Sequence, residues 1–303
     1  RHGEYYWLYT ILNLRNLSLK VGSPDETRTM LYWLLACLAI QFVSVTAEFD
    51  YCEITCANGT MHTVCKYPAG GGRNCRNNEM VFLTRRDKVY ILELLNNLRQ
   101  FVAKGAEKSK VSYKFKQPPA SNMMKLVWDG EMGLMAKRWA DQCDQPLHDV
   151  CRRAMDGQDI GQTSFVSIYR DTGANTDKRL ERSERIYSAL KIWWREIDVM
   201  DPKTVRRYDP TTMEATNNYT QIVWANTIYV GCGYSEFDMG GGNIMYRLIC
   251  NYSPAGNVAG LKVYRVGDYC SSCPPKANCS VTWTALCFNG EANEFIDNPS
   301  VGA

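Results

Sequence analysis

The chain has little of what marks most metal-dependent enzymes and nucleic-acid-binding proteins. It contains only 3 histidines, so few imidazole groups are available for catalysis or metal binding. Its formal net charge is +3 over 303 residues, which is too weak to indicate a nucleic acid or an anionic membrane as partner. The sequence also lacks internal repeats and low-complexity segments, so we expect an ordinary globular protein.

Cysteine is the residue that the chain has in excess. Because histidines are so few, 13 cysteines indicate disulfides formed in an oxidising compartment rather than metal clusters. One apolar run, residues 30–47, follows Arg28 and ends in small residues, as a signal peptide does. We expect residues 1–29 to be an upstream extension that is absent from the mature protein. Removal of Cys37 with the signal leaves an even set of cysteines and a secreted, extracellular protein that is not inserted in a membrane.

The rest of the chain divides into three regions. Residues 48–83 form a cysteine-rich N-terminal arm, residues 84–266 the main domain, and residues 267–303 a small cysteine-rich tail. Within the main domain, helical spacing of apolar residues predicts three helices, and alternating or β-branched runs predict three strands after them. This order indicates an α+β layered domain. The predicted helices are 84–106, 130–143 and a charged helix around 186–197, and the predicted strands are 219–224, 229–237 and 245–252.

Two motifs in the second half of the domain resemble a known family. The run NYTQIVW at 218–224 is similar to the first signature of CAP proteins, which have histidine where Asn218 stands. The run LICNYSPAGN at 248–257 is similar to the second signature. The chain is identified as a member of the CAP superfamily, and its arm resembles the antigen 5 branch of arthropods. The matched residues are Tyr219, Thr220, Gln221, Trp224, Cys250, Asn251, Tyr252, Pro254, Gly256 and Asn257.

The resemblance implies an α-β-α sandwich, a monomer, and a surface cleft that in many relatives holds a divalent metal between two histidines and two acidic residues. By that comparison Leu95 and Asn218 replace the histidines, Gln162 replaces one acid and Glu196 is retained. Without imidazole donors we expect no metal and no cofactor. The two histidines after the signal, His62 and His148, lie between cysteines, so we expect structural or solvent-facing roles.

The resemblance also implies disulfide pairs, and the sequence contains glycosylation motifs. The four tail cysteines, Cys270, Cys273, Cys279 and Cys287, allow three pairings, between which the sequence does not choose. Asn58 is the predicted glycosylation site, because it begins an Asn-Gly-Thr motif in a loop. The implied pairs are Cys52–Cys65, Cys56–Cys151, Cys75–Cys143 and Cys232–Cys250.

The function predicted from the resemblance is that of a venom or salivary protein that works by binding and is not an enzyme. Its partner would be a small hydrophobic or amine ligand, held between helices rich in Met and Trp, or a host receptor. One alternative is an extracellular protease, against which the loss of the cleft histidines argues. The other alternative is a structural or defence protein that binds no small ligand.

Overall fold

The computed structural model describes residues 50–56, 59–72, 75, 81–106, 117–143, 146–170 and 178–290. The predicted extension at 1–29, the signal at 30–47 and the glycosylation site Asn58 lie outside these residues. Among the described residues, no helix combines the length and the hydropathy that crossing a membrane requires. The helices are α1 (Thr63–Lys66), α2 (Arg85–Ala103), α3 (Gly130–Ala140), α4 (Lys178–Arg195) and α5 (Asn217–Ile222). The strands are β1 (Val127–Trp128), β2 (Gly161–Arg170), β3 (Tyr229–Gly240), β4 (Asn243–Ser253), β5 (Asn278–Cys279) and β6 (Cys287–Phe288).

A four-stranded sheet in the order β1-β3-β4-β2 forms the middle of the molecule. β4 pairs antiparallel with β3 and with β2, and β1 lies parallel to β3. The turn between β3 and β4 uses three glycines with positive φ, Gly240 to Gly242, where other residues would be strained. The predicted strands at 229–237 and 245–252 are confirmed within β3 and β4.

Two elements of the main domain that position the site, a helix and a strand, differ from the prediction. Residues 219–224 were predicted as a strand, but Asn217–Ile222 form helix α5. The helix has apolar and polar residues buried together, Tyr219 to Ile222, so its sequence shows no amphipathic period and resembles a buried strand. Strand β2 was not predicted, and it precedes α4, so the order of helices first and strands after is wrong.

Helical layers cover both faces of the sheet. Leu248 and Ile249 are consecutive in β4 and point to opposite faces, and neither is exposed. Leu248 packs in the large core that includes Leu95 of α2 and Trp193 of α4, whereas Ile249 packs against Trp139 of α3. The expected α-β-α sandwich is therefore confirmed.

Helix α3 lies unusually close to β3. A Cβ on Gly231 would lie 2.2 Å from the backbone nitrogen of Gly133, and a Cβ on Gly233 would lie 2.3 Å from that of Lys137. Real side chains do not reach such distances, so both positions require glycine for the helix to pack on the strand. The Gly-Cys-Gly run of β3 thus sets the spacing of one layer of the sandwich.

Helix α2 is held at its start by a capping box and in its middle by buried polar side chains. Thr84 accepts a hydrogen bond from the backbone of Asp87, whose carboxylate accepts one from the backbone of Thr84. Asn96 donates to the carbonyl of Leu126 at 2.9 Å and accepts from the amide of the same residue at 2.8 Å. Arg99 is fully buried and donates to backbone carbonyls of the segments that lead into β1 and β3. These contacts fix the helix against the sheet.

The N-terminal arm docks through a buried histidine. His62 has no exposed surface, and its Nδ1 accepts a hydrogen bond at 3.2 Å from the amide of Val64 at the start of α1. Its Nε2 lies 3.1 Å from the carbonyl of Arg153, and its ring stacks on Tyr51 with centroids 4.9 Å apart. Burial lowers the pKa of His62. The neutral ring therefore links the arm to the 146–160 loop.

Six disulfides join the described cysteines. The arm and the sheet have the four pairs that the resemblance implies. In the tail, Cys270 pairs with Cys279 and Cys273 with Cys287. The tail also packs on the main domain, because Ala285 and Leu286 belong to the large core. The amide of Cys287 donates to the carbonyl of Met123 at 2.7 Å.

Candidate functional site

The retained acidic residue of the predicted cleft is engaged by its own neighbours. Glu196 begins the 3₁₀ turn Glu196–Val199 that follows α4. One carboxylate oxygen accepts from Asn218 Nδ2 at 2.6 Å, and the other accepts from the amide of Tyr219 at 2.9 Å. Burial raises the pKa of Glu196, while these hydrogen bonds act in the opposite direction. The carboxylate therefore tethers the start of α5 to the end of α4.

Gln162 is similarly engaged at the start of β2. Its Oε1 accepts from the amide of Asp149 at 2.9 Å, and its Nε2 donates to Asn251 Oδ1 at 2.9 Å. The side chain is only 7% exposed, and these two bonds give both its oxygen and its nitrogen a partner inside the protein. An acidic residue here would place a charge against Asn251, and the amide instead bridges the 146–160 loop to β4.

His148 is the residue of this site that sequence reasoning missed. Its Nδ1 lies 3.3 Å from Gln162 Oε1, and the side chain is otherwise exposed on the loop between Cys143 and Cys151. We expected a structural or solvent-facing role, and 14 residues separate it from Gln162. No local pattern in the sequence indicates that the loop folds back onto β2.

The prediction that Leu95 occupies a cleft position is wrong. Leu95 has no exposed surface and lies in the large core on the same face of α2 as Ile91 and Val102. A side chain packed there cannot line a surface cleft. The structure places His148, not position 95, beside Gln162.

The two halves of the site lie on contacting elements. Helix α5, which carries Asn218, rests against the start of β2, which carries Gln162. The contact is tight, because a Cβ on Gly161 would lie 1.9 Å from Gln221 Oε1. A loop, a strand, a 3₁₀ turn and a helix therefore carry the four residues of the site, which are in that order His148, Gln162, Glu196 and Asn218.

These residues do not fit a divalent metal. Gln162 and Asn218 supply amide groups, and only His148 supplies an imidazole, whereas zinc-like ions require several imidazole, thiolate or free carboxylate ligands. Both oxygens of Glu196 already accept hydrogen bonds. The cysteine sulfurs that lie close together in the tail, those of Cys270, Cys273 and Cys287, are in disulfides and cannot act as thiolates.

The signature residues are structural rather than part of an open site. Gln221 Oε1 accepts from the amide of Gly256 at 2.9 Å, and Thr220 donates to Asn257 Oδ1 at 2.7 Å. A Cβ on Gly256 would lie 2.9 Å from the side chains of Gln221 and Trp224. The two signatures thus bind to each other and lock α5 against the segment after β4.

Other predicted features also lie in the interior. Of the residues expected to line a hydrophobic groove, Met132, Met135 and Trp139 of α3 are at most 2% exposed, and they therefore form core. Two further Asn-X-Ser/Thr motifs begin at Asn218 and Asn251. Asn251 is buried, and Asn218 uses its amide nitrogen in the bond to Glu196.

Residues 92–252 match the profile of the Cysteine-rich secretory protein family, CAP. Venom allergen 5 of Vespula flavopilosa is 37% identical over 218 residues, which cover 71% of this chain and 98% of that protein. A venom allergen 3 homolog of Dinoponera quadriceps is 36% identical, covering 73% of this chain and 91% of that protein.

Solved structures show the same fold. The structure of BmVAL-1 aligns with a TM-score of 0.52 and 25% identity, over 71% of this chain and 98% of that chain. A structure described as NaASP2 with Zn2+ aligns with a TM-score of 0.51 and 24% identity, over 72% of this chain and all of that one. The family profile, the allergens that the chain spans almost from end to end, and the sandwich with its interlocked signatures lead to one conclusion: the chain belongs to the CAP family of cysteine-rich secretory proteins and is similar to venom allergens 5 and 3.

Proposed function

We propose that this is a secreted venom or salivary protein that acts by binding a host molecule and catalyses no reaction. The observation that carries the proposal is the hydrogen bonding of Glu196. A general base needs a carboxylate that can reach a substrate proton, and each oxygen of Glu196 already accepts a hydrogen bond within the protein, one from Asn218 and the other from Tyr219. The similarity to venom allergens over most of the chain supports the venom or salivary role.

Secretion is supported by the disulfides. Three bonds hold the arm, one joins two strands of the sheet and two lie within the tail, and so many disulfides are typical of an oxidising compartment. The partner that we favour is a host receptor rather than a small hydrophobic ligand. The Met and Trp side chains that a hydrophobic groove would need are buried in the core, so contacts must come from the outer surface.

Two measurements on the purified protein test the proposal. The first is turnover of a mixed peptide library, for which we expect no cleavage above a heat-inactivated control. Cleavage that disappears in Glu196→Gln would establish the protease alternative and refute the proposal. The matched control is Asp201→Asn, which changes a surface carboxylate that caps a neighbouring turn and should leave any activity unchanged.

The second measurement is native mass spectrometry before and after extraction with organic solvent. We expect the mass of the polypeptide with its glycans and no extracted small molecule. A lipid or amine that co-purifies in stoichiometric amount would show that a small ligand, not a receptor, is the partner.

A further inference from the structure

Basic residues line two adjacent grooves, which lie between the chain segments at 203–212 and 259–265. The first, of about 590 Å³, is bounded by the segment 203–212 and by Ala259 and Gly260. The second, of about 440 Å³, lies between Asn122, the 206–207 segment and residues 260–265. Arg207 and Gly260 border both, so the two form one extended depression, which we call the basic groove.

The basic groove concentrates positive charge. It contains a single carboxylate, that of Asp209, which accepts two hydrogen bonds from Thr211. In the described part of the chain, no ion pair involves any of its cations. The net charge of the whole chain is only +3, so the groove has an excess of positive charge that the small net charge does not indicate. The five cations are exposed: Lys203, Arg206, Arg207, Lys262 and Arg265.

Backbone hydrogen bonds join the two segments that carry the cations, residues 203–207 and 262–265. The amide of Tyr208 donates to the carbonyl of Leu261 at 2.7 Å, and that of Gly260 donates to the carbonyl of Tyr208 at 2.8 Å. The amide of Val263 donates to the carbonyl of Val205 at 2.9 Å, and both valines are buried. The two basic segments are thus tied together, which lowers the ordering cost of binding an anionic partner.

The shape and the side chains favour one class of polyanion. Single-stranded nucleic acid needs exposed aromatic rings for stacking, but Tyr208, Trp224 and Tyr264 are at most 3% exposed. A membrane surface is flat and would meet the rims rather than the floor of a depression. A sulfated chain fits the groove, because guanidinium groups bind sulfate oxygens in pairs. We propose that the basic groove binds a sulfated polysaccharide of the extracellular matrix or cell surface.

This proposal rests on the proposed secretion in one respect: the choice of an extracellular glycan as the anion assumes that the protein is secreted. Its test is the affinity of the whole protein for heparin at 0.15 M NaCl, measured by calorimetry and compared with hyaluronan, which has carboxylates but no sulfates. We expect saturable binding to heparin that weakens steeply as salt rises, and much weaker binding to hyaluronan. Heparin affinity tests the basic groove, whereas peptide turnover and native mass spectrometry test the proposed function. Either proposal can therefore fail without the other.

Variants locate the site. Arg207→Glu with Lys262→Glu should weaken heparin binding about tenfold or more, because two of the five groove cations are reversed. The matched control, Lys104→Glu with Lys191→Glu, makes the same change in net charge at exposed positions outside the groove. Equal losses in both pairs would overturn the proposal, as would absence of heparin binding at 0.15 M NaCl. Binding to phosphatidylserine vesicles in place of heparin would also overturn it, in favour of a membrane.

Discussion

Arg99 gives the sharpest test of how the fold is held together. Its guanidinium is fully buried in the core, and none of the groups to which it donates is a carboxylate. Burial lowers the pKa of Arg99 to about 9, which leaves it charged at neutral pH. The five acceptors are the carbonyls of Met124, Ile222, Trp224, Ala225 and Thr227, at 2.6–3.2 Å.

Replacing Arg99 with Met retains much of the volume and removes every donor. All five carbonyls lose the donor that Arg99 supplies. Those of Trp224 and Ala225 each keep a backbone amide as partner, so three carbonyls, those of Met124, Ile222 and Thr227, are left without a donor in the described part of the chain. A buried acceptor left without its donor costs roughly 1–3 kcal/mol. Because removal of a buried charge also relieves its desolvation, we expect a net loss of about 3–5 kcal/mol in the free energy of unfolding.

The assay is urea unfolding followed by tryptophan fluorescence, with the disulfides intact. Arg99→Lys should lose less stability than Arg99→Met, because its ammonium group keeps three donors. It should still lose some, because three donors cannot reach all five carbonyls. The control Lys191→Met alters an exposed side chain and should change stability by no more than about 0.5 kcal/mol. A loss below about 1 kcal/mol for Arg99→Met would refute the view that this guanidinium holds the segments before β1 and β3 together.

Three further outcomes follow from the packing and from the site. Gly233→Val should prevent α3 from packing on β3, with a loss above about 3 kcal/mol in thermal unfolding or no folded protein; a stable, soluble variant would contradict the close approach. Protonation of His62 should place a hydrogen on the nitrogen that accepts from α1. Since its folded pKa lies below the unfolded value of 6.5, the unfolded state binds more protons, and stability should fall as pH decreases through 6.5. Burial also lowers the pKa of His148, so a His62→Asn variant should lose part of that dependence, and an unchanged pH profile would count against the buried ring. Gln162→Glu combined with Asn218→His should create zinc binding, measurable by calorimetry, that a further His148→Ala removes; retention of binding without His148 would show that the ring is not part of the site.

The elements that could be predicted from sequence are those whose signals are local. The helical spacing of apolar residues over 84–106 predicts α2 to within three residues of its observed end at Ala103. Alternating or β-branched runs predict the strands at 229–237 and 245–252, which lie within the paired strands β3 and β4. In each case the residues that give the pattern are also those that make the contacts.

The errors arose where a role depends on distant contacts. Residues 219–222 of helix α5 are all buried, so this part of the helix shows no amphipathic period and its Tyr, Thr and Ile residues favour a strand. Leu95 lies with Ile91 and Val102 on the buried face of α2, which keeps it out of the cleft. His148 reaches Gln162 only because the 146–160 loop returns to β2, and that return is a property of the tertiary fold.

We propose that hydrogen bonds within the cleft close it to metal binding and to catalysis. Calorimetric titration of the unaltered protein with zinc chloride at pH 7.5 tests it most directly. The account predicts no saturable binding at the cleft, because Glu196 is engaged by Asn218 and Tyr219 and only one imidazole is near. Binding of one zinc ion per chain, lost in Glu196→Gln, would contradict it.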